Sequence, residues 1–357
     1  MSYVTYSCRM RRIGWLDSAK GIAIIGIVLI HAVSWSPAAS APATWVLDRL
    51  VVSLPVFFLV SGIVSGPALL DAAAGRRRLA DRVLPLLWLY LLWQPVVLGY
   101  RILGSLTTDG AVDLVGELAR VAVAVVRPNG EIWYLWALAI HLTLAWATRR
   151  LPTAAVLAST FVLAAAVIGW GREMTGEATW HVLGPGLQGL PGYAFFTLAG
   201  ARLAPWIIAR VQLASPVVVI IAVLLWLGIG ELHATADPSV ASPLGVVQVF
   251  VGTAATVLAA RAVTRWAAPL AWLGKWSVVP YLTHTPVIVV LLAISTDAGL
   301  LPLLCANPTC TVLVLTTTAS LLGLAVFWSF RHTPARFLFE MPPRARRLLA
   351  SRTPVSD

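Results

Sequence analysis

Ten apolar runs follow one another along this chain, each long enough to cross about 30 Å of hydrocarbon. They fall at residues 19–36, 45–70, 83–103, 131–148, 152–170, 190–208, 215–231, 244–262, 272–294 and 309–330. Inside a bilayer the backbone polar groups must pair within the protein, so open runs of this length span as helices. The pattern predicts an all-α, polytopic membrane protein with about ten transmembrane helices. Composition agrees: 11% of residues are charged and 59% hydrophobic, where a soluble domain carries about a quarter charged residues.

The net charge of +11 would suit a nucleic-acid partner, but the positions of the charges exclude one. They stand in short clusters between the runs. Arg9, Arg11 and Arg12 precede the first span; Arg76, Arg77, Arg78 and Arg82 follow the second; Arg149 and Arg150 follow the fourth. Arg210 follows the sixth, Arg261 and Arg265 the eighth, and Arg331, Arg336, Arg344, Arg346 and Arg347 the tenth. The intervening loops are poor in positive charge: 36–44 has none, and 231–242 carries Glu231 and Asp237. Every second loop is basic, which puts both termini in the cytoplasm of a multi-pass protein of the plasma or inner membrane. The bilayer itself is therefore a partner. The chain divides into a cytoplasmic segment 1–18, a membrane domain 19–330 and a basic cytoplasmic tail 331–357. The apolar and basic residues of that tail suit the anionic inner leaflet, and its tip, 351–357, reads as disordered. No small-residue cleavage site follows the first apolar run, so the start reads as a retained span and not as a signal peptide.

Two outer connections are long. Residues 104–130 contain Val112–Val126, apolar enough for an interfacial or re-entrant helix but too short to span. Residues 171–191 read as a flexible, glycine-rich loop, the kind of place where an acceptor on the outer side is recognised. They include Gly184-Pro185-Gly186-Leu187-Gln188-Gly189, a literal dinucleotide fingerprint that fails in context: no strand precedes it, and Pro185 stands within it. Three cysteines make neither a disulfide framework nor a metal site, and no metal is expected. Cys305 and Cys310 lie in an outer loop whose compartment permits a disulfide. No internal repeat is visible.

Ionisable groups inside spans are costly and point to function. His31 lies in the first span, and Lys20 is eleven residues before it. That spacing is close to three helical turns, so the two side chains share a face about 16 Å apart. Asp17 falls near the same stripe. An imidazole can take a proton from an alcohol near neutral pH; the alternative for His31 is packing, and for Lys20 snorkelling to headgroups. In the second span, Gly62 and Gly66 form a small-residue face suited to packing on the first helix. Ser61 beside them could touch a thioester arm threading between helices. The Arg76, Arg77, Arg78 and Arg82 cluster suits orientation, and equally the phosphates of a cytosolic nucleotide or coenzyme A. The fourth span opens with Glu131, Trp133 and Tyr134, either an interfacial belt or the wall of an acceptor pocket. His141, within about 20° of Tyr134 on the same helix, reads as a packing residue. In the ninth span His284 precedes a break at Pro286, where Thr283 or Thr285 can meet freed carbonyls.

Together these segments resemble the acyltransferase-3 family of integral-membrane acyltransferases. The resemblance rests on Lys20 through His31, Phe57–Gly62, the basic cluster running into Leu84-Pro85, Ile132–Leu138 and Tyr281–Val287, in that order. The family more often has arginine where Lys20 stands, which exchanges a bidentate grip on an anion for a point charge. The resemblance implies a ten-helix fold and transfer of an acyl group, usually acetyl, from cytosolic acyl-CoA (acetyl-CoA) to a hydroxyl. The acceptor would be a sugar, a surface glycan or another small molecule. It implies His31, Lys20 and Asp17 as the catalytic group and the four arginines with Ser61 on the donor. Glu131, Trp133, Tyr134 and His284 would meet the acceptor. A proton-coupled transporter or flippase for a glycolipid or small metabolite is the competing class. An enzyme calls for a passage from the inner mouth past Lys20 to His31; a transporter calls for two pseudosymmetric halves.

Overall fold

The computed structural model describes residues 13–36, 41–71, 75–108, 110–128 and 130–346. Arg9, Arg11, Arg12, Asn129 and the tail beyond Arg346 lie outside the described residues. The order is α1 (Gly14–Trp35), α2 (Ala41–Leu50), α3 (Ser53–Ser65), α4 (Pro67–Leu70), α5 (Arg76–Leu92), α6 (Gln94–Thr108), α7 (Leu114–Ala122) and α8 (Trp133–Ala147). There follow α9 (Thr153–Thr175), α10 (Glu177–Leu213), α11 (Pro216–Thr235), α12 (Pro238–Val263), α13 (Ala268–Lys275), α14 (Val278–Asp297), α15 (Leu301–Ala306) and α16 (Pro308–Phe330). A 3₁₀ turn, Pro334–Leu338, closes the described chain. Among the described residues there is no strand.

Nine helices are long and apolar enough to cross a membrane among the described residues, α2 with α3 and α5 with α6 each counting as one. The fourth run, 131–148, is α8, fifteen residues long, or about 22 Å. Its residues are buried from Trp133 to Ala139 and again at His141 and Leu142. The all-α polytopic expectation holds.

α1 is the hub. It packs against α2, α3, α12, α13, α14 and α16, and small residues let those backbones approach. A Cβ on Gly21 would stand 2.0 Å from the Leu270 carbonyl oxygen of α13, and one on Gly274 of α13 would stand 1.7 Å from the Asp17 oxygen. The two glycines thus clasp α1 and α13 at backbone contact. α11 is the opposite case. Val217, Val218, Ile220, Ile221, Leu224 and Leu225 are all exposed, as suits a helix whose outer face meets lipid.

Three sequence expectations change. The partner of Gly62 and Gly66 is α10, not α1: their Cβ positions would meet Thr197 and Ala201, and Gly200 returns the contact on Leu59. The stripe needed an equally small partner, and α10 supplies one. The glycine-rich connection is helical except at two residues, Gly176 at φ 78° between α9 and α10 and Gly184 at φ 65° within α10. Those two positions need glycine's freedom, and Pro185 then starts a helix where its missing N–H costs nothing. α14 runs through Pro286 without ending; Thr283 bonds the Val279 carbonyl at 3.0 Å. Cys305 and Cys310 are free thiols. The start of the tail is bound to the bundle. The Trp88 and Trp93 indoles donate to the Phe337 and Leu338 carbonyls at 3.1 and 2.7 Å, Phe339 packs on Trp93 and Phe327, and Arg346 pairs with Asp81 at 3.0 Å.

Candidate active site

His31 lies one turn from the outer end of α1, nearer that surface than its place in the run suggested. It is half-buried, and it lines a cavity of about 1310 Å³. Ile27, Tyr281 and Glu131 line it too, as do Trp133, Tyr193 and Trp180. Arg120, Arg127 and Arg172 line it where the outer connections meet. These connections lie opposite the arginine-bearing loops, so the cavity belongs to the side that the charge pattern marks as outer.

The surroundings of Glu131 are organised by tyrosines. The Tyr100 hydroxyl donates to the Glu131 carboxylate. The Tyr281 hydroxyl donates to the Glu131 backbone carbonyl at 2.6 Å and accepts from the Tyr134 N–H at 3.2 Å. Tyr281 thereby closes the unpaired start of α8, where helix N–H groups lack partners. Tyr134 does not line the cavity. It is buried against Phe57, Phe58 and Tyr281, and its hydroxyl is 2.7 Å from Ser61 Oγ. The two residues assigned to acceptor and donor thus form one hydrogen-bonded pair. Trp133 lines the cavity and stacks on Tyr193 at 6.1 Å between ring centroids. His284 lies behind His31, centroid to centroid 4.9 Å. Together with Tyr100, Glu131 and Tyr281 it lines a second cavity of about 10 Å³, room for about one water.

The remaining candidates stand at the other end of the bundle. Lys20 Nζ meets Asp17 Oδ1 at 2.9 Å, with the carboxylate side chain 11% exposed. Arg76, Arg77, Arg78 and Arg82 are exposed in the first turns of α5, Arg78 pairing with Asp71 at 2.6 Å. None of this inner group, nor Ser61, lines the large cavity. His141 is a packing residue: its Nε2 donates to the Leu190 carbonyl at 2.7 Å, and its Nδ1 lies 3.1 Å from Thr197 Oγ1.

Sequence reasoning passed over Tyr100, Tyr281 and Arg101, all of which border this site. Arg101 carried a readable signal, a cation near the end of an apolar run. Its Nε and Nη2 bond the Glu117 carboxylate at 2.6 and 2.8 Å, fixing α7 across the cavity mouth with Val115 and Leu118 facing outward. The hydrogen bonds from Arg101 hold the Glu117 carboxyl below its ordinary value of 4.5, against the opposing pull of burial. A lowered carboxylate contributes stability that is present above that value and lost as pH falls through the folded one. Glu117→Gln should therefore flatten the loss of thermal stability as pH falls below 4.5. Identical acid profiles by thermal melting in detergent would contradict this.

The fold and site define an all-α, polytopic membrane protein with a histidine on the wall of a wide, aromatic-lined cavity and a separate exposed arginine cluster at the start of α5. A family model described as an acyltransferase domain, that of the acyltransferase-3 family, matches residues 13–330. The chain belongs to that family of membrane acyltransferases. No curated protein and no solved structure gives a match.

Proposed function

We propose that this protein transfers an acyl group, acetyl in the first instance, from cytosolic acyl-CoA to a hydroxyl of a sugar, a surface glycan or an exported small molecule. The observation that carries the reading is His31 on the wall of the large cavity. An acceptor entering there presents its hydroxyl to the imidazole, which takes the proton as the oxygen attacks the thioester carbonyl. The O–C bond forms, the C–S bond breaks, and the departing thiolate takes the proton back from the imidazolium. Trp133 and Trp180 offer apolar ring faces to a sugar, and Glu131 accepts its hydroxyls.

On the inner side Arg76, Arg77, Arg78 and Arg82 bind the phosphates of coenzyme A by charge-assisted hydrogen bonds. Lys20, held by Asp17, adds a point charge, and Ser61 meets the arm. Ile24, Ile27 and Val28 pack the α1 face between Lys20 and His31, so the arm reaches His31 once the bundle opens along that face, over a distance of about 16 Å. A cytosolic donor suits a multi-pass protein of the plasma or inner membrane.

The test uses the purified full chain in liposomes with labelled acetyl-CoA and a panel of methyl glycosides. Label should move to a glycoside, and Lys20→Ala should raise the donor KM about tenfold with a smaller change in kcat, since a charge-assisted contact is worth about 1.4 kcal/mol or more. Glycoside flux with no affinity for coenzyme A would overturn the reading in favour of a transporter.

A further inference from the structure

Among the described residues, three histidines lie within the bundle, and their hydrogen bonding sets one apart. His141 uses both ring nitrogens. His284 uses one: its Nδ1 is 2.9 Å from the Pro280 carbonyl oxygen. A carbonyl only accepts, so Nδ1 carries the hydrogen, and in the neutral ring Nε2 is a bare acceptor. That nitrogen is buried without a hydrogen-bond partner, in a residue 1% exposed. Buried polar atoms are almost always satisfied, and an exception calls for an explanation. The ring beside it is His31, at 4.9 Å between centroids and 44° between planes. Two imidazoles at this separation reach a nitrogen-to-nitrogen distance of about 2.9 Å when their edges turn toward each other.

We propose that His284 is a positioning residue for His31, an inference that rests on His31 being the base. When the rings turn, His284 Nε2 accepts a hydrogen bond from one ring nitrogen of His31. The other His31 nitrogen is then the bare one and faces the cavity. A base whose second nitrogen is held by an oriented acceptor is the arrangement that catalytic histidines share. The proton taken from the acceptor stays on His31 until the thiolate receives it. His284 gains none, because its own hydrogen remains on Nδ1 against Pro280.

Diethyl pyrocarbonate, which acylates a bare imidazole nitrogen, reads this coupling without acceptor or donor. With the detergent-solubilised full chain, carbethoxylation of His31 is followed by peptide mass spectrometry near pH 7. His284→Phe should slow modification of His31 about threefold to tenfold, and His284→Gln, whose amide oxygen can accept the same bond, should restore most of the rate. Turnover should follow: a loss of about tenfold to a hundredfold in kcat for His284→Phe at unchanged acceptor KM, with partial rescue by His284→Gln. An unchanged modification rate in His284→Phe overturns the proposal, as does equal slowing in both variants. Failure of the base reading looks different: His31→Ala would keep its turnover, while the His284 variants would still give their own answer on the coupling.

Discussion

Replacing His31 by alanine is expected to lower acyl transfer by about 10²–10⁴-fold, the usual contribution of a positioned general base. The change should fall on kcat. His31 stands on a cavity wall and is not enclosed in the core, so its loss opens space without stripping a packed interface. The Asp17–Lys20 pair at 2.9 Å lies about 16 Å away along α1, so donor KM should hold. Thermal melting of the variant in detergent should match that of the native chain, which separates lost chemistry from lost fold. Label transfer from acetyl-CoA measures the effect, and turnover within about twofold of native would remove His31 from the chemistry.

Gly274→Ala is expected to damage the protein through α1 itself. The new methyl would stand 1.7 Å from the Asp17 carbonyl oxygen and 2.7 Å from the Gly21 nitrogen. Backbone atoms on both sides leave no flexible side chain to yield, so α13 and α1 must part by about 1.5 Å or more to restore ordinary contact. Overpacking of this kind costs about 1–3 kcal/mol, and it acts at the helical turn that carries Asp17 and Lys20. A lower melting temperature and a raised donor KM should appear together. Gly228→Ala is the control. It lies within α11 with nothing within 4 Å of its Cβ position, and alanine there gains helix propensity. Equal melting temperatures for the two variants would refute the clasp.

Much of this was legible in the sequence, and the illegible part has a common cause. Run length gave the helices, because it depends on local composition and on the bilayer. Lys20 and His31 share one helix, so their spacing could be read. His284 and His31 could not be paired that way: α1 and α14 meet only in the assembled bundle. The same holds for Tyr281 at the start of α8, for Gly274 against Asp17, and for α10 as partner of Gly62. Composition misled where it outweighed position. Glycines and prolines between residues 171 and 191 read as a loop, although only Gly176 and Gly184 leave helical geometry and Pro185 sits where a helix tolerates it.

The central claim is that the two ends of one bundle serve two substrates, an acyl donor at the arginine-bearing surface and an acceptor in the outer cavity. Sealed liposomes sorted by orientation, given labelled acetyl-CoA on one face and a methyl glycoside on the other, test it directly. Transfer only when the donor meets the Arg76–Arg82 face is the predicted result. Equal transfer with the donor supplied to the cavity side would contradict it.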